Sequence, residues 1–484
     1  MKSKVLSFAE QKALTLKGLT FRSQDVAKGF VFFALKGAHV DGNLFIEEAI
    51  QRGAVLIVSD QQARQTYPVP YLQVRDIDAE MADAAYEFYG RPSDTLVMTG
   101  ITGTKGKTSI AYLLESVLKE SGRKVGVFGT VNYRMGGVPI CAAPNTTPAS
   151  LILFRLLQQM KAAKCEEVVM EVSSHSLELQ RVRNIWYDTA VFTNLQRDHL
   201  DFHQTFENYF QAKVKLFENL ADPRNPKKNR VAVINIDDPY GQRLARQLTG
   251  RVRIVTFGKN SPADFIATDI RETLRETHFK INGVPMKINL LGAHNVYNAL
   301  AACAVAVSRG ISIEIVAAGL AALSGVPGRM EQVCEGQAFT VFVDFAYTDE
   351  SLQRALDTVA PFKTGKILLV FGCGGQRDRT KRPLMGHTAC TKADTVFLTN
   401  DNPRCEDPQQ IFKDILAGMK GQTNYKIIPD RKEAIEEALT AAQANDVVII
   451  AGKGHEDYQL VGTEKRPFSD QETVRKFLRE KKHV

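Results

Sequence analysis

The sequence has no stretch approaching the ~18 consecutive apolar residues that a membrane-spanning helix requires. Its opening residues, Met1 to Leu14, contain no continuous apolar segment of the kind a secretory signal carries. The expectation is a soluble, cytoplasmic protein. Cys-x-x-Cys pairs are absent: Cys141, Cys165, Cys303, Cys334, Cys373, Cys390 and Cys405 are scattered, which argues against a zinc site or a disulfide framework and reads as reduced thiols. No nucleic-acid recognition motif, fixed-period repeat or low-complexity segment appears. Lys plus Arg exceed Asp plus Glu, 62 against 54, but the excess of +8 is spread out apart from clusters such as Lys227, Lys228 and Arg230. A polyanionic small substrate such as a nucleotide accounts for that balance at least as well as nucleic acid does.

At 484 residues the chain exceeds one ordinary core and predicts about three domains. The stretch 1–93 mixes short apolar runs (Val31 to Leu35, Ala54 to Ser59, Tyr71 to Val74) with helical segments, as a small α/β domain would. From Thr95 the order becomes strand, glycine-rich turn and helix, with Ile110, Leu113, Leu114, Val117 and Leu118 at helical spacing. Strand-like runs at Val168 to Met170, Ala190 to Thr193 and Val231 to Ile236 continue a nucleotide-binding α/β domain over 94–326. The Gly- and Pro-containing Ser324 to Arg329 reads as a hinge. In 327–484, runs at Val341 to Val343, Ile367 to Phe371, Thr395 to Thr399 and Val447 to Ile450 alternate with helices, the pattern of a doubly wound parallel sheet. Such sheets bind ligands beyond the carboxyl ends of their strands. Those ends carry Asp344, Gly372 to Gly375, Asn400 to Arg404 and Gly452 to Glu456.

The segment Gly103, Thr104, Lys105, Gly106, Lys107, Thr108, Ser109 reads as a phosphate loop. Glycines without Cβ let backbone N–H groups converge on phosphate oxygens at a helix N-terminus, Lys107 supplies charge, and Thr108 offers a hydroxyl to magnesium. It is not a strict Walker A, because the position of its first glycine is Ile101. Glu171, at a strand end, and His199, in a polar Asp-His-Leu-Asp run, each read singly as structural residues; with Thr108 they offer the hard oxygen and imidazole ligands that magnesium beside ATP requires. Lys213, on an amphipathic helix, reads by itself as solvent-exposed.

The loop resembles that of the Mur ligases and folylpolyglutamate synthetases, and ordered matches to the tripeptide-forming Mur ligases continue over about four hundred residues: Asn145 to Pro148, Glu171 to His175, Thr193 to Leu195, Arg197 to Asp201, Tyr209 to Lys213, Gly292 to Asn298, Gly328 to Glu331, Gly372 to Asp378, Asp401 to Arg404 and Gly452 to Glu456. The resemblance implies three domains: a small N-terminal α/β domain that binds the uridine end, a central P-loop ATPase-like domain and a C-terminal Rossmann-like domain. It implies an ATP-dependent amide ligase of peptidoglycan precursor synthesis that adds meso-diaminopimelate to UDP-MurNAc-L-Ala-D-Glu. By resemblance Lys107, Lys213, His199 and Glu171 are catalytic. Mg2+ lies on Thr108, Glu171, His199 and a carbamylated Lys213. ATP meets the loop together with Asn235, His294, Asn295, Arg329 and Asp344. The UDP-muramoyl dipeptide meets Ser23, Asn145, Thr146, Thr147, Ser174 and Arg181, and the incoming amino acid meets Arg377, Asp401, Asn402, Pro403, Arg404, Gly452 and Glu456. Asn295, and Asn298 after it, also read as helix caps. The expected partners are small molecules, with no nucleic acid and no membrane, and the expected state is a monomer. Three positions depart from the family: Lys105 replaces an asparagine, Tyr347 a histidine, and Arg22-Ser23-Gln24 keeps only the serine of its Asp-Ser-Arg signature. A lysine- or ornithine-adding relative and a catalytically silent nucleotide-binding paralogue are the alternative readings.

Overall fold

The computed structural model describes residues 3–37, 40–260 and 262–482. The chain forms two compact units, Met1–Ile266 with Tyr297–Gly319, and Ala267–Val296 with Leu320–Val484. It passes between them three times. No helix among the described residues is long and apolar enough to cross a membrane.

The first unit begins with a parallel sheet in the order Gly18–Thr20, Phe30–Phe33, Ala54–Ser59, Tyr71–Gln73. Alternation splits its side chains between two cores: Val31, Phe33, Leu56 and Val58 face one, Phe32, Ala34 and Ile57 the other. A second sheet orders six parallel strands as Arg253–Gly258, Val231–Asn235, Thr189–Phe192, Val97–Thr102, Glu167–Glu171, Val125–Phe128, followed by antiparallel Asn132–Met135 and Val138–Ala142. Being covered on both faces, the parallel strands are almost continuously apolar, and each fully buried Val, Ile or Leu contributes roughly 1.5–3 kcal/mol. The helix Phe206–Ala221 packs one face inward because Tyr209, Phe210, Leu216, Phe217 and Leu220 recur at helical spacing, and Thr205 caps it by accepting from the Asn208 N–H.

In the second unit an antiparallel ladder joins the end of Phe265–Glu272 to Thr277–Ile281 and Val284–Ile288. A six-stranded sheet follows in the order Glu331–Val333, Thr340–Asp344, Val447–Ala451, Ile367–Phe371, Thr395–Leu398, Tyr425–Ile427, parallel except at its first strand. It is doubly wound. The helices Asp349–Val359, Lys381–Lys392 and Pro408–Leu416 cover Phe342, Leu369 and Ile449 on one face, while Arg431–Ala441 and Asp470–Lys482 cover Val341, Leu368 and Val448 on the other. A hairpin, Tyr458–Val461 with Glu464–Pro467, stands beyond the strand ends. Ser324 to Arg329 lies outside helix and strand. All seven cysteines are free thiols, Cys141, Cys334 and Cys405 being exposed.

Candidate active site

In the first unit the strand Val97–Thr102 ends at Gly103 and the helix Lys107–Glu120 begins after Gly106, whose φ of 92° lies in the left-handed region. A side chain at Gly103 would strike the Thr193 hydroxyl, so the loop closes against the next strand only because this position is glycine. That neighbour then holds the turn from outside: Asn194 accepts from the N–H groups of Thr104 (2.9 Å) and Lys105 (3.0 Å), and the Thr193 hydroxyl donates to the Lys105 carbonyl at 2.7 Å. Lys107 Nζ donates to the carbonyls of Gly103 (2.8 Å) and Thr104 (3.0 Å). Lys105 reaches sideways to Asp198 at 3.5 Å.

Glu171 is buried at the end of its strand, directly beside the loop. It accepts from the Thr108 hydroxyl (3.0 Å), the Thr130 N–H (2.8 Å) and the Thr130 hydroxyl (3.0 Å). Lys213 is not the exposed lysine its helix suggested. It is 1 % exposed, lies 4.3 Å over the Tyr209 ring and donates to the Gly103 carbonyl at 3.1 Å. Burial, with Lys107 nearby, pushes its ammonium well below the ordinary lysine range. The His199 ring lies 4.9 Å from that of His175, and burial lowers both imidazoles, His175 to about 4. Among the described residues no three His, Cys, Asp or Glu side chains gather into a metal-holding group; the Glu171 carboxylate and the Thr108 hydroxyl lie 3.0 Å apart.

The residues expected to meet the muramoyl substrate join this network from the other side. The Thr147 hydroxyl donates to the Glu171 carbonyl (2.8 Å), Arg181 donates to the Thr147 carbonyl (3.2 Å), Thr146 pairs with Thr130 (3.1 Å), and the Asn145 carbonyl accepts from Tyr133 (2.6 Å). Ser174 bonds His203 at 2.9 Å. Ser23 stands apart in a one-turn helix, Ser23–Asp25, and makes no hydrogen bond to this group among the described residues. Asn235 touches the loop's support, donating to the Thr193 carbonyl at 2.8 Å.

The second unit brings together the remaining candidates. Asp344 accepts from the Met330 N–H at 2.6 Å, and burial, opposed by Arg329, pushes its carboxyl up to about 6. Arg329 lies over Phe345 at 5.4 Å. Asn295 donates to the Leu291 carbonyl (2.7 Å) and neighbours His294 (3.3 Å). At the far strand ends Asp401, Asn402, Pro403, Arg404, Gly452 and Glu456 form one cluster. Asn402 Nδ2 donates to Glu456 Oε2 (2.9 Å), Asp401 Oδ1 accepts from the Asn402 N–H (2.6 Å), and a side chain at Gly452 would meet the Asp401 carboxylate. Arg404, at φ 54°, points Nη1 at the Gly375 carbonyl (2.8 Å), where the absence of a side chain on Gly374 leaves it room. Pro403 offers its carbonyl against Gly375, and Arg377 is exposed on the same loop.

Three family descriptions match in chain order: "Mur ligase family, catalytic domain" over 15–89, "Mur ligase middle domain" over 101–306, and "Mur ligase, glutamate ligase domain" over 328–454. The chain belongs to the Mur ligase family. Its α/β architecture of three Mur ligase domains follows from that membership. The ligase is 44% identical over 468 residues to the UDP-N-acetylmuramoyl-L-alanyl-D-glutamate--2,6-diaminopimelate ligase of Geobacillus kaustophilus, covering 96% of this chain and 95% of the relative. It is 41% identical to the enzyme of the same name from Geobacter metallireducens, covering 97% and 95%. A solved structure with that name matches at 31% identity and a TM-score of 0.68, covering 97% of this chain and 96% of the other. MurF from Thermotoga maritima in complex with ADP, at 20% identity and a TM-score of 0.65, shares the fold over 97% of this chain and 99% of its own.

Reading the sequence missed two members of these networks. Thr130 becomes visible only once the strand Val125–Phe128 is seen to end beside Glu171; Lys453 sits inside the Gly-Lys-Gly-His-Glu run but carries no spacing signal of its own.

Proposed function

We propose that this ligase adds meso-diaminopimelate to UDP-MurNAc-L-Ala-D-Glu, using ATP, in peptidoglycan precursor synthesis. The observation that carries the reading is the continuous web from the phosphate loop through Thr108 and Glu171 to Thr147 and Arg181: it sets a phosphate-binding turn and a candidate carboxylate-substrate site against opposite sides of one buried acid. The near-full-length likeness to diaminopimelate ligases supports it.

The terminal carboxylate of the dipeptide attacks the γ-phosphorus of ATP; ADP leaves and an acyl phosphate forms. The incoming amine attacks the acyl carbon, inorganic phosphate leaves, and the amine loses a proton as the amide bond closes. Lys107, held at the loop mouth, balances negative charge on the transferred group, and the backbone N–H groups of the loop and helix N-terminus orient it. Arg181 fits the carboxylate or diphosphate of the muramoyl substrate, as a planar fork suits either. Magnesium takes few protein ligands and keeps phosphate oxygens and water, so the hard-oxygen pair of Glu171 and Thr108 suits it. When bound, the ion would neutralise charge shared between the β- and γ-phosphates. Carbamylation of Lys213 fits its surroundings, because a buried amine held neutral is the form that reacts with carbon dioxide. His199 would complete the metal site, and His294, Asn295, Arg329 and Asp344 would meet the nucleotide. The three domains 1–93, 94–326 and 327–484, action in the cytoplasm and a monomeric state complete the proposal.

The test is phosphate release with ATP, Mg2+ and UDP-MurNAc-L-Ala-D-Glu over a panel of amino acids. Release that depends on meso-diaminopimelate is expected. A preference for L-lysine would overturn the acceptor, and no release with any amino acid would overturn the activity.

A further inference from the structure

Lys453 is 0% exposed, an unusual place for an ammonium, which is almost never buried without partners. Its Nζ donates to Asn402 Oδ1 at 3.2 Å and to Glu456 Oε2 at 3.0 Å, and Asn402 Nδ2 closes the triangle onto the same Glu456 oxygen at 2.9 Å. The Leu460 N–H also donates to Asn402 Oδ1, at 2.9 Å. Two donors on Oδ1 fix which way the amide faces, and two donors on Oε2 fix the carboxylate. Glu456 Oε1 then makes no hydrogen bond among the described residues, and Arg404, tied only through Nη1, keeps Nε and Nη2 without a hydrogen-bond partner among them. The cluster thus presents one acceptor and one planar donor fork, the complement of an ammonium and a carboxylate on one carbon.

Charge adds a second effect. Lys453 and Arg404 are cations of this cluster, set beside the carboxylates of Glu456 and Asp401, while Arg431 is matched by Asp470 at 2.8 Å. A zwitterionic end carries no net charge, and its carboxylate can face these cations while its ammonium faces Glu456. A lone ammonium brings no carboxylate to them, and the low dielectric of a buried site magnifies the difference.

We propose that Lys453 is a specificity-determining positioning residue, which holds Asn402 and Glu456 in place and supplies a positive charge that favours a zwitterionic acceptor end over the lone ammonium of lysine. The proposal rests on the diaminopimelate reading above. That reading is tested by the wild-type preference, and the proposal by how the preference changes in variants.

The experiment measures kcat and KM for meso-diaminopimelate and for L-lysine, with KM for ATP and the thermal transition, in wild type, Lys453→Met, Lys453→Gln and Lys453→Arg. In the Met variant the ratio of kcat/KM for diaminopimelate over lysine should fall by about tenfold or more, chiefly through KM for diaminopimelate, with KM for ATP unchanged. Arg, which keeps the charge, should recover much of the ratio; Gln, which keeps donors without charge, should recover less. Equal losses for both amino acids would overturn the proposal, and so would a Gln variant that matches wild type. If the Met variant loses its folded transition, the Gln variant carries the comparison, and loss of folding in both would assign Lys453 to stability and overturn it as well.

Discussion

Lys107 donates to the carbonyls of Gly103 and Thr104 in its own loop, and its proposed role is to meet a bound phosphate with its charge. Lys107→Ala should abolish phosphate release with a thermal midpoint within a few degrees of wild type; retained turnover would refute the phosphate-loop assignment. Arg404→Ala removes the donor fork proposed to meet the acceptor's distal carboxylate. A lost charge-assisted hydrogen bond costs roughly 1.5–3 kcal/mol, so kcat/KM for diaminopimelate should drop about tenfold to a hundredfold with KM for ATP unchanged, as steady-state kinetics with each substrate varied would reveal. Asp344 behaves differently, since burial raises its carboxyl to about 6 from an ordinary value near 4. A raised folded value means the folded state holds the proton more tightly than the unfolded chain. Its contribution is therefore favourable in acid and is lost as pH rises through 6. Two units correspond to at most roughly 3 kcal/mol, and partial exposure lowers this to about 1–2 kcal/mol. Asp344→Asn should accordingly be more stable than wild type at pH 7.5 and lose that advantage toward pH 4.5 in denaturant titrations, while its KM for ATP rises. An equal offset at both pH values would refute the assignment.

At the scale of elements, strands buried on both faces were legible because an unbroken apolar run has one economical explanation. Ala54–Ser59 and Ile367–Phe371 match their sequence readings residue for residue, and Val447–Ala451 differs by a single residue at its end. Asn132–Met135 and Val138–Ala142 were not, since the latter is exposed at every position and its pairing comes from a turn at Gly136 and Gly137, not from hydrophobic pattern. The helix Phe206–Ala221 was legible as an element but not in its chemistry. Lys213 follows Tyr209 by four residues, hence shares its face, and that face turns out to be buried against the phosphate loop. The loop itself, Asn402 and Arg404 were placed at strand ends by sequence order alone, whereas the bonds among them depend on backbone geometry that no spacing encodes. If the buried lysine carries a carbamate, Lys213→Ala should be nearly inactive and partly rescued by formate or acetate, with intact-mass measurement of wild type showing the added group. An unmodified wild-type mass together with no rescue would refute the modification.

For the whole molecule, the separation into units does not follow the chain. Tyr297–Gly319 belongs with the first unit although residues 267–296 precede it in the second. The attachment is specific: Ser116 donates to the Gly319 carbonyl at 2.6 Å, and Arg309 bonds Glu167, Thr99 and Thr189 across three neighbouring strands. A fragment ending at residue 266 should therefore unfold less cooperatively than the full chain and bind a hydrophobic dye, which calorimetry and fluorescence would check; a sharp transition without dye binding would show that the first unit is complete without its late segment. The same interleaving bears on how the protein is made. Synthesis runs at about 5–20 residues per second, so a ribosome that has finished the sixth parallel strand works for several more seconds before the last piece of that unit emerges. Throughout that interval Glu167 has Arg123 but still lacks Arg309, the second of its two arginines, and the nascent chain depends on whatever shields its unfinished surface.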